Sequence, residues 1–473
     1  MHIGEGKAVR AQEEVSVCDI PYTELLSRAN KLKGKFQRLL HEVIGYPTVA
    51  PRDKKGLREC ADAIQRQFEH NGFKVIQWGD PPIVYAERDV GAKKTLMCYH
   101  HYDVQSEGDL RLWKSSPWKM VVREGRMFGR GAIDNKGPCI GSLLGFKLVE
   151  DALGDLPVNV RFVVEGEEEW SSEILAKFVK KHRGLMKADG CVWELLSATK
   201  ASVTEICPGM KGCLGISMTV GGPPGFPKVD AHSAYGGAIP SAAWRLIWAV
   251  NSLKNSDDNI TIDGLSGLIR QPTKEDMAAL RNYRGDIGQK LKDSHGIDRF
   301  LMNKKGLDLL KALYLEPSLS INGLESGCQG EIHSTIIPAK ATAKLDLRLV
   351  PDMSSGKVMR LLRAHLDRRG FADIVLTGSG YDAAKTPVTD PFVELVVRTA
   401  KEIAAPAPVN TMPLMPMTGP AYLLESYTPF CYCACYADMD KTYAHGANEN
   451  WPISSMVNSM AFVARIAEQL GRS

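Results

Sequence analysis

The spacing of apolar positions changes period several times along the chain, and each change marks an element. Residues 22–42 repeat apolar side chains at helical spacing. Residues 55–70 do the same before Asn71-Gly72, a C-terminal stop. Short apolar runs at 73–77, 83–86, 96–99 and 158–164 predict strands, separated by helical patterns at 139–153 and 174–182. This alternation predicts an α/β layered unit around a largely parallel sheet. Past Gly209 the pattern shifts. Residues 213–220 read as a strand, 238–253 as a helix, and 255–322 are mixed and charge-rich. Residues 341–350 then alternate with period two, followed by a helical 354–369 and a strand at 374–376. Helical patterns return at 391–404 and 454–470, flanking an apolar strand at 430–437. The simplest architecture is one large unit, 1–209 with 385–473, interrupted by a smaller α/β unit at 210–384.

Composition narrows the function classes. Of 473 residues, 44% are hydrophobic and 24% charged, the mix of a globular protein with ample core. Lys and Arg number 59 against 55 Asp and Glu, a net charge of +4, too balanced for a nucleic-acid or membrane-surface partner. The charge-free stretch 403–424 has the length of a membrane span but carries five prolines, so no span is expected. Residues 1–12 lack the apolar segment of a secretory signal. The 11 cysteines are scattered without a paired CxxC. Cys431, Cys433 and Cys435 fall on one face of a strand, as buried thiols or as a metal or redox site. A reducing, cytoplasmic compartment is expected.

The chemistry-bearing residues gather at strand ends. His101 and Asp103 follow the strand at 96–99, where a metal ligand and its orienting carboxylate, or merely a cap, would sit. Asp134 stands in the glycine-bracketed turn Gly129–Gly137 before a helix, a position that also suits an N-cap. Glu165-Gly166-Glu167-Glu168-Glu169 follows the strand at 158–164; adjacent carboxylates repel unless solvated or facing cations. Glu194 ends a short strand at 191–193, and His445 lies between the last strand and the last helix. Two histidines and three carboxylates are the ligand set for two divalent ions sharing one bridging carboxylate.

Six stretches then occur in one order along the chain: YHHYDVQ (99–105), GRGAIDNKG (129–137), EGEEEWSS (165–172), DAHSAYGGAIP (230–240), TIIPAKATAKLDLRLVP (335–351) and AHGANE (444–449). In these the chain resembles the co-catalytic dinuclear-metal peptidase family of carnosinase, carboxypeptidase G, acetylornithine deacetylase and succinyl-diaminopimelate desuccinylase, and within it the carnosinase-like dipeptidases. The resemblance implies a three-layer α/β/α metallopeptidase domain with an inserted two-layer α/β lid and dimerisation domain. It implies two divalent ions per subunit, zinc first, with manganese or cobalt compatible. His101, Asp134 and Glu194 would hold one ion, and Asp134, Glu169 and His445 the other, with a cis Asp134–Asn135 peptide. Asp103 matches the acid beside the first ligand, and Glu168 the general base that activates a water shared by the ions. His232 matches a histidine reaching the partner subunit's site in a homodimer, and Thr335 and Arg348 match residues that grip the substrate.

One stretch departs from the family pattern. Where a Gly-Gly-Ser loop is usual, this chain has Pro416-Met417-Thr418-Gly419-Pro420. Thr418 replaces the hydroxyl and Gly419 remains, but Pro416 offers no N–H and Met417 adds bulk. The expected activity is cleavage of an amide bond in a dipeptide or similar small substrate. The altered loop keeps an amidase or deacylase of N-acyl amino acids as the alternative. A binding protein on the same fold is a third reading, weakened by an intact base that mere binding does not need.

Overall fold

The computed structural model describes residues 20–331, 333–435 and 441–473. The N-terminal stretch read for a signal, the end of the strand expected at 430–437, and the Cys435 side chain lie outside the described set.

Eight strands form the central sheet. In spatial order they are Lys74–Trp78, Ile83–Arg88, Asn159–Glu165, Thr95–His101, Gly190–Leu196, Phe430–Cys435, Thr204–Cys207 and Val409–Thr411. The sheet is mixed rather than largely parallel. Ile83–Arg88 pairs antiparallel with both neighbours, and Phe430–Cys435 runs antiparallel to Thr204–Cys207. The connection from Trp78 to Ile83 is a tight turn, and a hairpin-length link permits only antiparallel pairing. The middle of the sheet, Asn159–Glu165, Thr95–His101 and Gly190–Leu196, is parallel. Helices Tyr22–Ile44, Lys136–Leu153 and Ile453–Gly471 pack together, Lys54–His70 lies against the first two strands, and Pro391–Ala404 against the C-terminal strands. The apolar strand pattern and the helical stripes thus close one large core.

A second core sits under a four-stranded antiparallel sheet in the order Ser318–Ser326, Lys340–Leu349, Gly212–Gly221, Val375–Tyr381. Leu214, Ile216, Met218 and Val220 alternate inward with Ala341, Ala343, Leu345, Leu347 and Leu349 against helices Ala242–Asn251 and Ser355–Arg368. The first of these helices begins later than its apolar pattern because Pro240 precedes it and the Ser241 hydroxyl caps Trp244. Strand Ser318–Ser326 was not visible in the pattern: it is an edge strand, mostly exposed, with few apolar positions to alternate. The charge-rich segment at 255–322 divides its allegiance. Leu280, Leu310 and Tyr314 bury themselves in the large core, and Tyr314 hydrogen-bonds the Glu205 carboxylate at 3.2 Å.

Candidate metal centre and substrate cavity

The site grows from the carboxyl ends of three adjacent parallel strands. Their register places His101 beside Glu165 and Tyr99 beside Trp193, so the loops that follow emerge together on one edge. His101 ends its own strand and the Glu167–Glu169 turn follows the next. Glu194 lies inside Gly190–Leu196 rather than at a strand end, at a φ of +56°. That left-handed residue sits where the pairing with Phe430–Cys435 shifts register. Asp134 precedes helix Lys136–Leu153 without capping it; Asn135 takes the N-cap place, and the Asp134–Asn135 peptide is cis as the resemblance implied. Neighbouring His100 is structural: its ring nitrogens meet Asn135 Oδ1 at 2.7 Å and Ser142 Oγ at 2.9 Å, and burial lowers it to about 3.

Asp134 is the meeting point of two imidazoles. His101 Nε2 lies 3.1 Å from its Oδ1, and His445 Nε2 lies 3.0 Å from its Oδ2 and 3.3 Å from Glu169 Oε1. Ligand atoms of Asp134, Glu169 and His445 all fall within 4.8 Å of one another. Gln105 Nε2 donates to Glu169 Oε2 at 2.9 Å, while the buried Glu169 Oε1 faces His445 Nε2. Two carboxylates and an imidazole converging away from water are a place for a cation. The titration pattern agrees. Hydrogen bonds to the Asp134 and Glu169 carboxylates hold His445 up to about 10, burial raises Glu194 to about 7, and burial pushes Glu168 well above the usual carboxylate range. Without added positive charge the two histidines hold their protons and the buried Glu168 and Glu194 resist ionising, while the imidazoles keep Asp134 ionised. Divalent ions relieve both demands, so the donor set fits them.

Two buried carboxylates set this geometry. Asp103, buried, accepts the backbone N–H groups of Glu168 at 3.1 Å and Glu169 at 2.9 Å and lies against His101 Nδ1. Glu449 does the same for the opposite loop: Oε1 accepts from Ile133 and Asp134, and Oε2 from Gly131 and the buried Arg130 guanidinium at 2.8 Å. Sequence reasoning placed Glu449 in a motif but gave neither it nor Arg130 a role. Their being four residues past His445 and four before Asp134 was the available signal.

The second sheet supplies the facing wall. Cross-strand pairing sets Tyr381, Cys213 and Arg348 side by side in one row, and Ser379, Gly215 and Asp346 in the next. Arg348 Nη1 donates to Thr418 Oγ1 at 2.9 Å, its Nε lies 3.1 Å from Asp346, and Tyr381 Oη hydrogen-bonds the Glu168 carbonyl at 3.1 Å. The result is a cavity of about 880 Å³ lined by His101, Asp134, Glu168, Glu169, Glu194, His445, Arg348 and Thr418. Gly419 stands at its edge, where a Cβ would come within 3.5 Å of Glu168 Oε1. His232 and Thr335 are not brought to it. They lie exposed on the ribbon Ala231–His232 with Ile336–Ile337, where Ser233 N–H donates to the Thr335 carbonyl at 2.9 Å. Among the described residues no helix is long and apolar enough to cross a membrane; Cys431 and Cys433 are buried, and the Cys433 thiol donates to the Ser197 carbonyl.

Residues 97–469 match the family described as Peptidase family M20/M25/M40. The Cys-Gly metallodipeptidase of Schizosaccharomyces pombe is 31% identical over 368 residues, spanning 72% of this chain and 74% of that protein. The Beta-Ala-His dipeptidase of Rattus norvegicus is 31% identical over 297 residues, 61% of this chain and 58% of that protein. Among solved structures, an M20 family metallo-carboxypeptidase from Sulfolobus solfataricus superposes with a TM-score of 0.84 at 27% identity, covering 93% of this chain and all of that one.

Proposed function

The chain belongs to peptidase family M20/M25/M40, and from that premise we propose that it is a dipeptidase working with two divalent ions. The observation that carries this reading is the convergence of His101, Asp134, Glu169, Glu194 and His445 on one cavity that also holds Glu168 and Arg348. His101, Asp134 and Glu194 would hold one ion; Asp134, Glu169 and His445 the other. Carboxylate-rich sites with one imidazole per ion suit zinc and accept manganese or cobalt. When bound, such ions make a shared water acidic near neutrality and polarise the scissile carbonyl.

The chain's own groups do the rest. Arg348 and Thr418 orient the substrate carboxylate, with Gly419 leaving room beside Glu168. Glu168, shielded from water and fixed through its backbone N–H by Asp103, takes the proton of the attacking water and returns it to the departing amine. Asp103 keeps His101 oriented. Pro416 and Met417 favour a second reading, an amidase or deacylase, because Pro416 removes one backbone N–H from the loop and Met417 adds bulk there.

Residues 210–384 act, in this account, as an inserted lid. A homodimer through it is supported by exposed Trp244, Ile247 and Trp248 on one helix and by the free edge strand with Ile321 and Leu324 exposed. His232 and Thr335, exposed on the same unit, would complete the partner's cavity. Buried free thiols at Cys60, Cys98, Cys139 and Cys191 support a reducing, cytoplasmic compartment. Metal-replete protein assayed on dipeptides and on N-acyl amino acids tests the activity. Hydrolysis of dipeptides, abolished by chelation and restored by zinc or manganese, is expected. Turnover of N-acyl amino acids alone contradicts it.

A further inference from the structure

Resting on the dipeptidase reading, this inference concerns which dipeptides fit. Beside Arg348 and Thr418 the cavity is lined by Met210, Met415 and Met417, with Trp170 at its mouth. Met210 and Met415 are bridged to each other. Met210 Sδ lies 3.3 Å, and Glu168 Oε1 3.5 Å, from the point where a Cβ on Gly419 would stand, so the methionine wall begins next to the proposed base. Met417 and Trp170 are 51% and 64% exposed, large apolar side chains left open to water at the rim of a cavity. Among the described residues Arg348 is the cavity's one Lys or Arg, and it is already engaged by Asp346 and Thr418. The acid at the rim, Glu173, has Lys177 at 3.6 Å.

Met417 immediately precedes Thr418 and lines the same cavity, so a residue whose α-carboxylate meets Arg348 and Thr418 stands next to it. We propose that Met210, Met415 and Met417, capped by Trp170, form the subsite for the side chain of the carboxyl-terminal residue, and that the subsite selects thioether, aromatic and other apolar side chains over charged ones. Methionine side chains are unbranched and polarisable, so the wall adapts to several shapes and makes favourable contacts with sulfur and rings. An acidic side chain there would meet thioethers and an indole, and the cavity's Arg348 guanidinium is already engaged.

The test compares Gly-Met, Gly-Phe, Gly-Ala and Gly-Asp, with Met-Gly and Ala-Gly to fix the orientation. Metal-loaded enzyme should show kcat/KM for Gly-Met and Gly-Phe at least about tenfold above Gly-Ala, and Gly-Asp below it. Met417→Gly should compress that ratio severalfold, and Met417→Leu should keep it. Equal values across the series, a ratio untouched by Met417→Gly, or a preference confined to Met-Gly would overturn the subsite. Calorimetric titration of the Glu168→Gln protein with Gly-Met and Gly-Ala separates the two ideas. If no dipeptide is hydrolysed yet Gly-Met binds about tenfold tighter, the activity reading fails and the subsite stands; equal binding, or none, ends the subsite.

Discussion

Glu449 holds Asp134 from behind: its Oε1 accepts the Asp134 backbone N–H at 3.1 Å, while its Oε2 is paired with Arg130. The proposed bridging ligand is thus fixed by a fully buried carboxylate from the far end of the chain. Three backbone donors and a guanidinium converge on that one group, which no neutral side chain of similar shape can satisfy.

Glu449→Gln should therefore disturb both fold and metal. The new amide presents N–H groups to existing donors and leaves Arg130 buried without its counter-charge, a loss of about 3–5 kcal/mol by analogy with other broken buried pairs. Thermal unfolding of the metal-free variant reads the first effect, and metal retained after dialysis against a weak chelator reads the second. Wild-type values in both would show that Asp134 is positioned without Glu449.

Glu165 gives a pH-dependent stability. It is fully buried, donates nothing to the proposed reaction, accepts from Tyr99 Oη at 2.5 Å, and burial raises it to about 8. Its carboxyl is neutral in the fold, whereas in an unfolded chain it ionises at roughly 4.3. The stabilisation is present below that unfolded value and is lost as pH rises towards about 8, because only the unfolded state releases the proton in that window. In chelator-treated protein, the melting temperature should fall between pH 5 and 8, and Glu165→Gln should flatten the slope. An identical slope in the variant removes Glu165 as the cause.

Complementation tests the dimer. Glu168→Gln and His232→Ala chains, each inactive alone, should regain about a quarter of wild-type activity when mixed and allowed to exchange subunits, since half the dimers then carry one intact composite site. No recovery, with exchange verified by a mass-tagged chain, would mean that His232 serves its own subunit or no active site.

How much of this was legible in the sequence follows physical lines. His101, Asp134, Glu169 and His445 were readable because strand–loop positions and carboxylate density survive as local pattern, whereas only the family resemblance set Glu168 apart from its neighbours. So were both cores, since their strands alternate or run apolar. Glu194 was placed at a strand end because nothing local signals a left-handed residue within a strand. The mixed sheet was missed because strand direction depends on which strands become neighbours, a property of tertiary packing. Spacing pointed at Glu449 and Arg130 singly, but their pairing, like the Tyr381 hydrogen bond to the Glu168 carbonyl, joins residues over two hundred positions apart and is set by the tertiary fold. The edge strand Ser318–Ser326 carried too few apolar residues to show a period.

In the proposed reaction Glu168 moves the proton while its neighbours hold the ions. Glu168→Gln, loaded beside wild type, should retain two ions per chain by elemental analysis while kcat on Gly-Met falls at least about 100-fold. A variant that loses an ion, or that keeps turnover close to wild type, would contradict the assignment and transfer the role of base to another carboxylate of the cavity.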